Sequence, residues 1–315
     1  MTDQFGRTID YMRISVTDLC NFRCIYCMEP EGVKKCEHRE MLTLEQIAEV
    51  AAAAAACGIR KLRLTGGEPL VRKGIVELCR MLKSIDGITE LTVTTNGSLL
   101  PNLAAPLKDA GVDRLNISLD TLDAEKFRNI TRCGTLDTVL RGLEAAERAG
   151  FVNTKLDTVL LGGVNTDEIA ALAELTRTRA ISVRFIELMP MGVCAAMPRE
   201  RFVSADCVLE TLPGLIPLAP EGVAERYRLP DAVGAVGLIR AMSNRFCASC
   251  NRIRLTADGK LKPCLHSEAE ISVRGLHGEA LKESVEQAIQ AKPPHHLLNE
   301  QGKSGAGRAM YQIGG

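Results

Sequence analysis

Residues 11–27 read YMRISVTDLCNFRCIYC. The opening residues alternate: Met12, Ile14 and Val16 fall on one side of an extended chain, Arg13 and Ser15 on the other. A strand over 11–17 therefore runs into three cysteines, Cys20, Cys24 and Cys27, spaced C-x₃-C-x₂-C. Three thiolates so close together at a strand's end can surround one soft-metal site. A structural zinc site closes with four ligands, and Cys36 and His38 are the nearest candidates for a fourth. A four-iron cube held by three cysteines instead keeps one iron open for an exogenous ligand. Cluster, zinc and no metal are the readings this spacing leaves, and the incomplete ligand set favours the cluster.

Working outward, the strand-then-helix pattern recurs. Strands are expected at 60–65, 90–95, 113–118, 154–160 and 182–187. Helices are expected at 43–57, 74–84, 101–110, 137–149 and 166–177; the first has Thr43 as N-cap, Gln46 as its capping-box partner and Gly58 as terminator. Six β-then-α units make an α/β chain with a parallel sheet. An open doubly wound sheet and a barrel short of eight units both satisfy the pattern. Beyond about residue 190 prolines punctuate the chain, at 198, 213, 217, 220 and 230. Short strands are expected there at 224–229, 235–240, 252–257 and 260–263, with a hairpin turn at Asp258-Gly259, and a helix at 279–291. The glycine-rich tail ending Gly314-Gly315, taken alone, reads as disordered.

Composition narrows the function. The 315 residues carry 39 Lys and Arg against 39 Asp and Glu, so the strong field of a generic nucleic-acid binder is absent. Aromatics are 3% with no tryptophan, which argues against base-stacking platforms. No apolar run reaches the roughly 18 residues of a membrane span, and the opening Met-Thr-Asp-Gln-Phe-Gly-Arg has no apolar leader pattern. A cytoplasmic protein is expected. Twelve cysteines in a reducing compartment point to metal or catalysis rather than disulfides. Six of them, Cys36, Cys57, Cys79, Cys133, Cys194 and Cys207, are scattered and read as small buried apolar residues.

The other three are Cys247, Cys250 and Cys264, again one short of a closed zinc site, with His266 nearby. A Cys₃His zinc site and a second cluster with an open iron are the two readings. Strand alternation also puts Lys61 with Arg63, Arg13 with Ser15, Lys155 with Asp157, and Arg184 with Ile186, each opposite aliphatic neighbours. Buried cations need partners. Asp10, Asp157 and Glu187 are the acids at hand; they look too few, which favours a phosphorylated ligand.

Further motifs lie at consecutive strand ends: Thr65-Gly66-Gly67-Glu68-Pro69, Thr94-Thr95-Asn96-Gly97 and Asn116-Ile117-Ser118-Leu119-Asp120. With TDLCNFRCIYC, VRFIELM, FCASCNRIRL and the double-glycine end, the chain resembles, nearly end to end, the GTP 3′,8-cyclases of molybdenum cofactor biosynthesis, in the radical S-adenosylmethionine superfamily. That resemblance implies an incomplete (βα)₆ TIM-like barrel over 1–220 and a C-terminal cluster-binding α+β extension over 221–315. It implies two [4Fe–4S] clusters, one on Cys20, Cys24 and Cys27, the other on Cys247, Cys250 and Cys264. Tyr26, Gly67, Ser118 and Met189 match positions that contact S-adenosylmethionine. Arg13, Arg63, Thr94, Lys155, Arg252, Ile253 and Arg254 match positions that contact GTP, and Arg13, Arg252 and Arg254 are expected to serve catalysis. The strand-face argument adds Lys61 and Arg184 for the triphosphate. The implied reaction is reductive cleavage of S-adenosylmethionine, removal of the ribose 3′ hydrogen of GTP and closure onto C8 of guanine. The resemblance further implies a downstream pathway enzyme as partner and a tail that reaches the active site. The electron donor stays unidentified and a homodimer stays open.

Two departures stand out. Asp157 occupies a position where related sequences often have Asn, and is expected to offset Lys155. Met191 to Pro198, with Cys194 among them, has no assigned role. The rival readings are another radical S-adenosylmethionine enzyme with an auxiliary cluster, such as a peptide-modifying one, and a protein with two structural zinc sites.

Overall fold

Alternation builds the sheet. In β1 (Tyr11–Ser15), Met12 and Ile14 are buried and Arg13 takes the opposite face. The computed structural model, which describes residues 1–33, 40–296, 298 and 304–314, pairs β1 in parallel with β2 (Lys61–Thr65), which pairs with β3 (Glu90–Thr95). Next in order come β4 (Arg114–Ser118), β5 (Lys155–Leu160) and β6 (Ser182–Glu187), all parallel. The register aligns Met12, Leu62 and Leu91 across three strands, and Ile117, Leu156 and Val183 across three more. All six side chains are fully buried. Each contributes about 1.5–3 kcal/mol by leaving water, so a one-residue slip in any strand would exchange core for cavity.

The helices cover the aliphatic face. Helix α1 (Leu44–Ala56) starts at Thr43, whose hydroxyl accepts from the Gln46 main-chain N–H at 3.2 Å while the Gln46 side chain accepts from the Thr43 N–H at 2.9 Å. It ends at Gly58, whose φ of 95° a side chain would oppose. After it come α2 (Ile75–Lys83), α3 (Leu100–Asp109), α4 (Ala124–Thr131), α5 (Leu136–Arg148), α6 (Ile169–Thr178), the short α7 (Asp206–Thr211) and α8 (Gly278–Gln290).

The second half of the chain completes the same sheet. Strand β7 (Ile216–Glu221) and β8 (Ala224–Arg228) form a hairpin, and β8 pairs antiparallel with β9 (Ala235–Ile239). Strand β9 then pairs in parallel with β6. At the other edge β10 (Arg252–Leu255) pairs in parallel with β1, and turns through Asp258-Gly259 into antiparallel β11 (Lys260–Lys262) and the two-residue β12 (Ile271–Ser272). Six consecutive βα strands thus gain one parallel strand on each flank. Among the described residues the ladder ends at β12 and β7 without closing. The fold is the incomplete TIM-like barrel with a C-terminal α+β extension.

The short α7 and β12 are additional to the sequence reading, and three further elements differ from it in ways that bear on the site. Helix α4 is additional; Asp123 caps it by accepting from the Lys126 N–H at 2.8 Å. Strand β7 contains Pro217 and Pro220, which sequence reads as breakers, but an edge strand needs no donor on its outer side. The tail is ordered where described: Met310–Ile313 forms one helical turn against β1, and Ile313 is fully buried. Arg308 anchors it, its guanidinium reaching Asp258 at 3.1 and 2.8 Å and Glu270 at 2.6 and 2.8 Å. Gly315 lies outside the described residues.

Candidate active site

The face opposite the aliphatic core lines a cavity of about 560 Å³, and all eight parallel strands contribute to its wall. The cysteine triads lie toward opposite ends of it. Cys20, Cys24 and Cys27 follow the carboxyl end of β1. Cys250 precedes the amino end of β10, which runs parallel to β1, and Cys264 follows β11.

The first triad is held from two sides. The Arg23 and Ile25 N–H groups donate to the Thr131 and Ile130 carbonyls at 2.9 Å, so α4 carries the loop. The Arg132 guanidinium closes it on the carbonyls of Arg23 (3.2 Å) and Met28 (3.0 Å). On the other side the Gly67 N–H donates to Thr17 O and the Glu68 N–H to Leu19 O, both at 2.8 Å. A Cβ at Gly67 would lie 2.4 Å from Leu19 O and 2.6 Å from Asp18 O. This glycine is therefore required by the loop that carries the cysteines. Glu68, fully buried, accepts from the N–H groups of Leu70 (3.0 Å) and Asn96 (2.6 Å) and from the Thr95 hydroxyl (2.7 Å). Burial nevertheless pushes it up to about 7.

Burial also pushes the Cys20 thiol to about 11 and Cys27 to about 12; Cys24 is driven well above its ordinary value by burial, Asp120 and the other two thiols. Three mutually interacting sulfurs that ionise only against a strong cation are a soft-metal donor set with one position missing. No three His, Cys, Asp or Glu among the described residues are gathered as a single-ion site. A four-iron cube is a larger body than one ion, and three sulfurs opening onto a cavity fit it. Cys36 and His38 lie outside the described residues.

The second triad has a cationic setting. Lys292 Nζ lies 3.7 Å from Cys250 Sγ, and Arg7 donates to the Cys247 carbonyl at 2.9 Å. Burial raises Cys250, but Lys292 and Arg252 outweigh it and hold this thiol below its usual range. His266 bonds the Ser304 hydroxyl at 3.1 Å and meets the His296 ring at a 56° tilt with ring centres 4.5 Å apart; burial pushes it down to about 3, so it stays neutral.

Between the triads stand Arg13, Lys61, Arg63, Arg114, Lys155, Arg184, Arg252 and Arg254. The expectation that acids are too few holds for only half of them. Lys155 pairs with Glu221, Arg114 with Glu90 at 2.5 Å, Lys61 with Asp10 at 3.3 Å and Arg184 with Asp157 at 3.8 Å. Glu221 arrives from β7, a strand the sequence reading did not contain. Asp157 offsets Arg184 rather than Lys155, and accepts from Asn116 at 2.8 Å. No carboxylate among the described residues pairs with Arg13, Arg63, Arg252 or Arg254. The Arg63 and Arg252 guanidinium groups sit 5.5 and 5.9 Å from the Tyr11 ring centre. Burial and mutual repulsion lower Arg13 and Arg252, and Arg254 to about 10. Arg13 Nε, Arg252 Nε and Thr94 Oγ1 are buried without a hydrogen-bond partner. Arg254 instead donates to the main-chain carbonyls of Ile313, at 3.2 Å, and Gly314.

Every site residue expected from sequence lines the cavity except Ile253, whose side chain is fully buried in the aliphatic core on the reverse of β10. Tyr26, Gly67, Ser118 and Met189 gather at the first triad's end. The Tyr26 hydroxyl donates to Asp120 at 2.6 Å, and burial raises Asp120 to about 6. Arg114 and Glu221 are wall residues the sequence reading did not single out, and Asp120, the last residue of a strand-end motif it quotes, had no role there. Alternation along β4 carried the signal for Arg114, since it shares a face with Asn116 and Ser118. Cys194 is buried and donates to the Tyr26 carbonyl at 2.7 Å, which gives the 191–198 segment a packing contact with the cysteine loop. Cys57 and Cys79 are buried as expected, whereas Cys207 is half-buried and Cys133 exposed.

A family model described as the radical SAM superfamily matches residues 14–176, and one described as Molybdenum Cofactor Synthesis C matches residues 181–298. Over their full lengths, this chain and a GTP 3′,8-cyclase of Alkaliphilus oremlandii are 48% identical. A GTP 3′,8-cyclase of Peptoclostridium acidaminophilum is 50% identical over 100% of this chain and 98% of its own. The crystal structure of Streptococcus suis SuiB shares the fold, with a TM-score of 0.65 at 13% identity over 93% of this chain and 68% of that one. Geometry, both family models and the full-length relatives agree: the chain belongs to the GTP 3′,8-cyclase family of radical S-adenosylmethionine enzymes.

Proposed function

We infer that this chain converts GTP to 3′,8-cyclo-7,8-dihydro-GTP, the first step of molybdenum cofactor biosynthesis. One observation supports the reading above others: Arg13, Arg63, Arg252 and Arg254 stand without carboxylate partners in one cavity with a cysteine triad toward each end. Four cations out of bulk water require an anion of high charge density, and guanidinium forks match phosphate oxygens. When bound, the two [4Fe–4S] clusters and S-adenosylmethionine supply reductive bond cleavage and hydrogen-atom abstraction, chemistry that no side chain offers.

The chain's own part is holding and exclusion. Cys20, Cys24 and Cys27 would carry the first cluster, and Cys247, Cys250 and Cys264 the second. Tyr26, Gly67, Ser118 and Met189 would seat S-adenosylmethionine, with Asp120 fixing the Tyr26 hydroxyl. Arg13, Arg63, Thr94, Arg252 and Arg254 would grip GTP; Lys61, Lys155 and Arg184 join once their carboxylates are displaced. Ile253 serves through its backbone alone, setting Arg252 and Arg254 on the cavity face. Residues 1–220 would serve the first triad and 221–315 the second. The curled sheet and the docked tail keep water from the reacting carbons.

No helix among the described residues is long and apolar enough to cross a membrane, and their cysteines are all free. These fit a cytoplasmic enzyme fed by a one-electron donor, its product passed to a downstream pathway enzyme; a homodimer is compatible with this reading. Anaerobic incubation with S-adenosylmethionine, dithionite and GTP tests it. We expect GTP-dependent 5′-deoxyadenosine and a cyclised nucleotide. Equal 5′-deoxyadenosine without GTP, and no cyclised product, would overturn the substrate assignment.

A further inference from the structure

Lys292 lies just beyond α8 with only 2% of its surface exposed. Its Nζ has three neighbours: the Arg252 carbonyl at 2.6 Å, the Pro263 carbonyl at 3.0 Å and Cys250 Sγ at 3.7 Å. No carboxylate among the described residues pairs with it. A buried ammonium costs several kcal/mol unless an anion offsets it, and among the described residues the anions within reach are the sulfurs of the second triad. The two carbonyls belong to the first residue of β10 and to the residue preceding Cys264, so one ammonium ties together both segments that present these ligands. The stem is fixed as well. Arg7, held by Asp3 at 2.7 Å, donates to the carbonyls of Pro293 (2.8 Å), Pro294 (3.2 Å) and Cys247 (2.9 Å). At the first triad, among the described residues, the groups donating to Cys20 Sγ are neutral: the Phe22 N–H at 3.3 Å and the Asn96 amide at 4.0 Å.

We propose that Lys292 is a positioning residue of the second triad, whose buried ammonium compensates the charge of the thiolate-bound cluster and sets its reduction potential. Reduction adds negative charge, and a fixed cation beside a ligand sulfur favours the reduced state.

The inference rests on the second triad holding a cluster, and the experiment separates the two. In a Cys20→Ala/Cys24→Ala/Cys27→Ala background only the second cluster remains. Iron analysis of that protein tests the cluster by itself: about four irons per chain uphold it and none overturns it. Its midpoint potential is then read by a dithionite titration followed by electron paramagnetic resonance. Lys292→Met should keep the iron and make reduction at least tenfold less favourable, a shift of about 59 mV to lower potential. Lys292→Arg, which keeps the charge, should recover at least half of that shift. An unchanged midpoint in the Met variant overturns the proposal. Where the Met variant holds no iron or does not fold, the Arg variant decides: retained iron at the parent potential supports charge compensation, and lost iron assigns Lys292 to packing alone and overturns it.

Discussion

Lys155, buried at the start of β5, is ion-paired to Glu221 at the tip of the β7–β8 hairpin. On the proposed reading, in which Lys155 contacts the triphosphate, GTP would have to displace this carboxylate to reach it. Glu221 is 41% exposed, so water screens the contact. Glu221→Gln removes the competitor and should tighten GTP binding about threefold at about pH 6.5, within the 1 kcal/mol or so of a screened pair. Anaerobic calorimetry reads this directly; unchanged or weaker binding would refute the exchange.

The same proposed contact would give GTP binding a pH signature. Burial first, and then Arg184, lower Lys155 to about 8. Phosphate binds the ammonium form. Below about pH 8 that form is already present; above it, binding must recover a proton from solvent. GTP affinity should therefore fall as pH rises through about 8, by up to roughly tenfold per unit. Lys155→Met should bind GTP more weakly with that slope flattened, and a slope that persists in the variant would move its origin elsewhere.

Arg252 and Arg254 flank Ile253 on β10, so their side chains share the cavity while the strand is anchored by the core. Arg252→Ala and Arg254→Ala should each lower kcat/KM for GTP by at least about 100-fold, in line with losing a buried charge from a polyanion site. Iron content should stay at about eight per chain. Iron loss in either variant would make that arginine a support of the second triad instead.

Gly67→Ala places a carbon against the Leu19 and Asp18 carbonyls, and backbone cannot yield as a side-chain tip does. The displaced loop carries Cys20. We expect iron to fall from about eight to about four per chain, the second cluster remaining. A full complement of iron in this variant would show that the loop tolerates the intrusion.

Much of this architecture was legible in the residues because alternation and burial coincide. The six leading strands and the split between aliphatic core and polar wall follow from pairs such as Arg13 with Met12, or Arg63 with Leu62. What could not be read was relational. Glu221 meets Lys155 only because β7 sits at the sheet's far edge, where its prolines are tolerated. Helix α4 is short and charged, so its periodicity is weak, yet it carries the cysteine loop. The tail's order depends on Arg308 meeting Asp258 and Glu270, contacts that no local pattern announces. The motif places Ile253 with its two arginine neighbours, but only the pleat shows that its side chain turns into the core.

Strand β1 is flanked by β2 on one side and by β10, which begins at Arg252, on the other. A ribosome thus delivers the cysteine loop long before the strand that completes its sheet. Such distant pairing closes late, after most of the chain has been released. The sheet around the cysteine loop is therefore complete only when both halves of the chain are present, and a cut between them would cost the first half its β1–β10 and β6–β9 neighbours at once.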